Sequence, residues 1–186
     1  MKCLIFICTF VAYMTIHTMR MSVSFVQADI ITFFAIKKSE MGLAMSAIYI
    51  ILGISYLIRT FVPLKNLQFT YLLTVGLTVL SFVMVPLAAS LNYHSAVILF
   101  LGLGFFGFFQ SSTWPLVIKI LNKYYHPQQD GCLIGFWSSN GDCGNILGFF
   151  ACTVIEFYLL LPWEICLYFS SAIAIIMAVA IYFLPI

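Results

Sequence analysis

Six long apolar stretches alternate with five short polar punctuations along this chain of 186 residues. The stretches run roughly over 4–27, 41–59, 68–90, 95–119, 131–160 and 165–185. Each approaches or exceeds the ~20 apolar residues a helix needs to cross hydrocarbon. The punctuations are Lys37–Glu40, Pro63–Asn66, Asn92–His94, Asn122–Asp130 and Pro162–Glu164. The pattern predicts an all-α membrane protein with six transmembrane helices, forming one domain over 1–186. On this reading the chain stops at Leu184-Pro185-Ile186, just past the sixth helix, with no soluble domain left over.

Composition agrees. Mean hydropathy is +1.11, and 63% of residues are hydrophobic against 8% charged. A soluble chain of this length has too little interior to hide so much apolar side chain. The net charge of +2, with no basic run, gives no reason to expect nucleic acid as a partner. Cys3, Cys8, Cys132, Cys143, Cys152 and Cys166 lie mostly inside apolar stretches and form no CxxC, so they read as packed free thiols. Residues 2–16 have the charge and apolar run of a signal peptide, but no small-residue cleavage site follows. We read them as a retained first helix, with the signal peptide as the minor alternative.

Orientation follows from Lys and Arg near helix ends. With the N-terminus inside, that side holds Lys2, Arg59, Lys65, Lys119 and Lys123, and the other only Lys37 and Lys38. The expected topology is therefore N-terminus on the insertion (cytoplasmic) side. The organelle is left open between the endoplasmic reticulum and the mitochondrial inner membrane, among others.

Against this background Arg20 stands out, because a guanidinium costs about 3 kcal/mol in hydrocarbon on insertion scales. Tyr13, His17, Arg20, Ser24 and Gln27 recur at spacings of four, three, four and three, forming one helix stripe. A polar stripe with a charge at its centre points to a water-filled cavity and an anionic solute. In the fourth stretch Gln110, Thr113 and Trp114 share a face, and Pro115 is expected to bend the helix. Taken alone, these read more readily as interhelical glue plus a kink. In the fifth, Ser138, Asp142 and Asn145 form a second polar stripe beside a run of glycines. The first, fourth and fifth helices thus read as lining helices, and the third and sixth as lipid-facing or packing ones.

No catalytic set emerges, so an enzyme is not expected. His17, His94 and His126 are scattered, no local ligand pair suits a metal, and no cofactor is implied. Gly102, Gly104 and Gly107 spell GxGxxG inside an apolar helix, where close helix packing explains them better than a nucleotide.

Taken together, the motifs resemble the N-terminal half of the organophosphate:phosphate antiporters of the major facilitator superfamily. Eukaryotic sugar-phosphate exchangers and bacterial glycerol-3-phosphate transporters are the branches it looks most like. The resemblance rests on Tyr13-x-x-x-His17-x-x-Arg20 with Ser24 and Val26, and on Gln110-Ser111-x-x-Trp114-Pro115. It rests also on Gly131-x-x-x-Gly135-x-Trp137-x-Ser139, Gly144-Asn145-Ile146-Leu147-Gly148 and the Phe183-Leu184-Pro185 ending. It implies half of the major facilitator fold, a 3+3 inverted repeat, with the substrate between two six-helix halves near the membrane midplane. It also implies phosphate bound by Arg20, as suits a fork of donors on phosphate oxygens. Tyr13, His17, Gln110, Trp114, Asp142 and Asn145 complete the candidate substrate-binding set.

The chain departs from the family pattern in several places. Met21 replaces a lysine, Ile58–Pro63 lacks the aspartate of the family's loop signature, Asp130 replaces a basic residue, and Gly141 stands where bacterial relatives have a histidine. On this reading the second half and its arginine are absent. Asp142 falls where relatives carry a neutral polar residue, which suggests an Arg20–Asp142 ion pair competing with phosphate. The expected function is a half-size or split transporter of phosphorylated solutes or inorganic phosphate. It would work in the lipid bilayer with a second six-helix half. The alternatives are a non-transporting structural subunit among other membrane subunits, and a partial chain.

Overall fold

The computed structural model describes residues 2–61, 66–125 and 127–184. Pro63, Leu64, Lys65, His126, Pro185 and Ile186 lie outside the described residues, as do the side chains of Arg59 and Asp130. The readings that use them stand on sequence alone.

The described chain is helical throughout, with no strand among the described residues. Apolar surroundings offer the backbone no water, so its N–H and C=O groups pair within each segment. The helices are α1 (Lys2–Phe25), α2 (Gln27–Phe34), α3 (Lys38–Thr60), α4 (Leu67–Ser90) and α5 (Ala96–Gln110). There follow α6 (Thr113–Asn122), α7 (Pro127–Trp137), α8 (Asn140–Thr153), a π turn (Val154–Tyr158) and α9 (Glu164–Tyr182).

Five stretches are long and apolar enough to cross a bilayer: Lys2–Phe25, Lys38–Ile58, Leu67–Ser90, Ala96–Asn122 and Glu164–Tyr182. The fifth predicted span, 131–160, is not one helix. It divides at Ser138–Ser139 into α7 and α8 and continues into the π turn. There Ser138 and Ser139 donate their hydroxyls to Ile134 O and Phe136 O, and Asn140 donates to Trp137 O. Such local side-chain bonds compete with the helical ladder.

The first span also ends earlier than its stripe. Val26 interrupts the helix, and Gln27 opens α2 as an exposed residue. The fourth span breaks at Ser111–Ser112 rather than at Pro115 itself. Proline disturbs the carbonyl four residues before it, and for Pro115 that is Ser111. Pro115 then sits third in α6, within the first turn where a missing N–H costs little.

Packing has the symmetry of an inverted repeat. The main helix pairs are α1–α8, α3–α5, α4–α5, α1–α9 and α4–α9. Exchanging α1, α3 and α4 with α5, α8 and α9 carries α1–α8 onto α5–α3 and α4–α5 onto α9–α1, and leaves α4–α9 in place. The core lies along these seams, with Tyr71, Phe82, Phe106 and Trp137 its largest fully buried side chains. Gln68 at the start of α4 donates to Ile181 O, Tyr182 O and Leu184 O at 3.0, 3.1 and 2.6 Å, capping the end of α9.

Candidate functional site

The α1–α8 seam positions the site. α8 presents Gly141, Gly144 and Gly148 to α1. A methyl group added at Gly141 would lie 3.2 Å from the His17 ring, one at Gly144 would strike Met14 O, and one at Gly148 would lie 3.0 Å from Met21 Cβ. Gly144 meets Met14 and Thr18 while Gly148 meets Thr18 and Met21, so advancing along α8 advances along α1 and the two run parallel. Small residues let the backbones approach closely, one hydrogen bond crosses the seam, and a second ties α1 to the end of α7 beside it. Thr18 Oγ1 donates to Gly144 O at 3.2 Å, and Trp137 Nε1 donates to Thr9 Oγ1 at 3.1 Å.

Above this seam opens a cavity of about 510 Å³ lined by Tyr13, His17, Tyr56, Trp114, Ser138, Asn140 and Gly141. Its walls are aromatic. Tyr13 packs edge-on to His17 at 5.2 Å, tilts against Trp114 at 4.8 Å and stacks on Trp137 at 6.3 Å between ring centroids. Tyr13 and Tyr56 share a hydrogen bond. The break in α5–α6 places Trp114 on this wall, and the break between α7 and α8 places Ser138 and Asn140 there.

Arg20 lies one turn beyond His17. Its guanidinium sits over the Tyr49 ring, 5.5 Å from the centroid, a cation–π arrangement. Its Nε is buried without a partner, and no hydrogen bond or ion pair links its guanidinium to another described residue. The expected Arg20–Asp142 pair is therefore not formed. Both charges nevertheless act on His17, and Arg20 acts on Tyr13 and Tyr56. The arrangement supplies an uncommitted cation and its full set of donors beside phenolic, imidazole and amide groups. That chemistry suits an oxyanion with a hydroxylated body.

The remaining sequence candidates are placed differently. Gln110 is 1% exposed, outside the cavity wall, and neither its Oε1 nor its Nε2 finds a partner. Asp142 and Asn145 are exposed and do not line the cavity. Tyr49 and Tyr56 were missed because the second stretch has no charge or amide between Glu40 and Arg59 to mark a polar face. Their signal was present: Tyr49, Gly53 and Tyr56 stand four and three apart on one face of α3. Asn140 was overlooked because it falls between the residues of the Ser138–Asp142–Asn145 stripe.

Comparison with known proteins points in one direction. The chain is 27% identical over 169 residues to a putative glycerol-3-phosphate transporter 2 of Arabidopsis thaliana, covering 79% of this chain and 31% of that protein. It is 26% identical over 144 residues to a probable hexose phosphate transport protein of Chlamydia pneumoniae, covering 77% and 30%. A shorter match of 42 residues, 38% identical, links it to a putative glycerol-3-phosphate transporter 3 of Arabidopsis thaliana, with 23% and 8% covered. The chain spans about a third of the length of the curated relatives it matches over most of its residues. No protein-family model and no solved structure matches it.

Proposed function

We propose that this chain forms one six-crossing half of a membrane transporter for phosphorylated solutes, with α7, α8 and the π turn together making the fifth crossing. The N-terminus lies on the insertion side, and a second half faces the cavity. Arg20 receives the phosphate. Tyr13, His17, Tyr56 and Trp114 bound the pocket that takes the organic part, and Asp142 and Asn145 lie on the exposed face toward the second half. The solute exchanges for inorganic phosphate by alternating access.

The observation that carries this reading is the uncommitted guanidinium of Arg20 beside the aromatic cavity. A charge kept in a membrane span without a protein counter-ion marks a binding or conduction path. The likeness to glycerol-3-phosphate and hexose phosphate transporters supplies the anion class.

Because Trp114 and Trp137 adjoin the pocket, intrinsic fluorescence of the purified chain reports ligand entry directly. Titration with glucose 6-phosphate or glycerol 3-phosphate should give a saturable change. Arg20→Ala should weaken binding at least tenfold, while Arg20→Lys, which keeps the charge but loses the fork, should fall between. Equal affinities in all three proteins remove Arg20 from the site. Counterflow of labelled phosphate into proteoliposomes separates transport from binding, and binding without counterflow would favour a structural subunit.

A further inference from the structure

The charge of Arg20 meets an aromatic ring from another helix. Tyr49, on α3, places its ring under the guanidinium, with 5.5 Å from the central carbon to the ring centroid. α1 and α3 are not among the main helix pairs, so this contact spans a gap that the backbones do not close. Tyr13 and Tyr56, seven residues from Arg20 and Tyr49 on the same two helices, both line the cavity. The Arg20–Tyr49 pair therefore stands about two helical turns from them along both helices. Gly53, between the two α3 tyrosines, has nothing within 4 Å of an added methyl group, so the space between them is open.

We propose that Tyr49 is a positioning residue for Arg20: its ring holds the guanidinium in the site with the N–H donors left free for phosphate. The role rests on Arg20 being the phosphate ligand proposed above. A carboxylate could also hold an arginine inside a membrane span, but it would occupy those donors and compete with an anionic solute. An aromatic face attracts the charge through the ring quadrupole and accepts no N–H hydrogen bond along the guanidinium edge. The cation is thus kept in place without being neutralised.

Order of this kind matters for affinity. An arginine side chain is long and rotamer-rich, and ordering it only when the ligand arrives weakens binding. Tyr49 supplies that order in advance. The ring itself is 51% exposed and no part of the buried core, so its removal should leave the fold standing.

The test is titration of the purified full chain with glucose 6-phosphate, read by tryptophan fluorescence. Tyr49→Leu should weaken binding about fivefold, within the range of one cation–π contact. Tyr49→Phe keeps the ring and loses the hydroxyl, so its affinity should stay within about twofold of the unaltered chain. Added to Arg20→Ala, Tyr49→Leu should weaken binding no further, because the ring acts only through the arginine. Thermal unfolding in detergent should give Tyr49→Leu the melting temperature of the unaltered chain; if it melts early, Tyr49→Met takes its place. Unchanged affinity in Tyr49→Leu, beside a clear loss in Arg20→Ala, would overturn the positioning role and leave Arg20 in the site. Equal losses in Tyr49→Leu and Tyr49→Phe would also overturn it, since they assign the effect to the hydroxyl. So would a loss from Tyr49→Leu that persists in the Arg20→Ala background. No loss in Arg20→Ala removes the arginine from the site, and Tyr49 with it.

Discussion

The seams α1–α8 and α3–α5 are counterparts under the exchange of α1, α3 and α4 with α5, α8 and α9, yet they are finished in opposite ways. Both are built on glycine. A methyl group at Gly144 would strike Met14 O, and one at Gly107 would lie 2.6 Å from Ile48 O. The α1–α8 seam is stitched by a hydrogen bond from Thr18 to Gly144 O and flanked by one from Trp137, at the end of α7, to Thr9. The α3–α5 seam is bordered by groups left unbonded. Ser55, two turns along from Ile48, and Gln110, one turn along from Gly107, hold buried polar atoms with no partner. Close packing alone therefore does not set the strength of a membrane seam. Unpaired amides and hydroxyls cost free energy that the stitched seam does not lose. The α3–α5 seam is the one placed to loosen, and α3 is also the least buried of the five candidate spans, with 22% of its most apolar 18-residue stretch buried against 56% for α4.

The largest expected effect tests what the seams share. Gly144→Ala and Gly107→Ala should each destabilise the protein by about 3 kcal/mol, at the upper end of overpacking costs, because the obstruction in each case is backbone. Thermal unfolding in detergent measures both. If Gly107→Ala is mild while Gly144→Ala is severe, the α3–α5 seam yields, which strengthens the contrast. If both are mild, the two seams are not the close contacts described.

The next effect tests what differs. Gln110→Met keeps the volume and removes an unbonded buried amide, so it should stabilise the fold by about 1–2 kcal/mol. The same substitution would lower stability if Gln110 were bonded to an internal water, and the seams would then be equally well satisfied. Trp137→Phe acts on the stitched side. It removes the bond to Thr9, which keeps its own hydroxyl bond to Ile5 O, so the loss should be about 1 kcal/mol.

The spans were legible because hydrocarbon leaves a chain little choice: a long apolar run must be helical. The Arg20 stripe was legible because a charge inside such a run is conspicuous. The breaks were harder to read. Pro115 announced one, but its effect falls on Ser111–Ser112, because the disturbed carbonyl lies one turn upstream. The break at Ser138–Ser139 has no proline, and three polar side chains that bond the local backbone replace it. Facing was hardest of all. Gln110 and Trp114 share a helix face in sequence, yet the break between them leaves Trp114 on the cavity wall and Gln110 buried behind it. Asp142 and Arg20 looked like partners because each was a lone charge. Periodicity cannot say that α8 turns its glycines toward α1 and leaves its carboxylate exposed.

The smallest expected effect separates a seam glycine from a glycine on an open face. Gly53 lies on α3 between Tyr49 and Tyr56, is exposed, and has nothing within 4 Å of an added methyl group. Alanine is the better helix former by up to about 1 kcal/mol, so Gly53→Ala should leave stability unchanged or raise it by up to that amount. Its value lies in pairing with the ligand titration. On the cavity face, a methyl group between two tyrosines narrows the approach to Arg20 without touching a seam. The expected outcome is unchanged or higher melting temperature together with weaker sugar-phosphate binding. A drop in stability like that of Gly107→Ala would mean that Gly53 is covered by another helix. The open face of α3 would then be a third seam rather than a wall of the cavity.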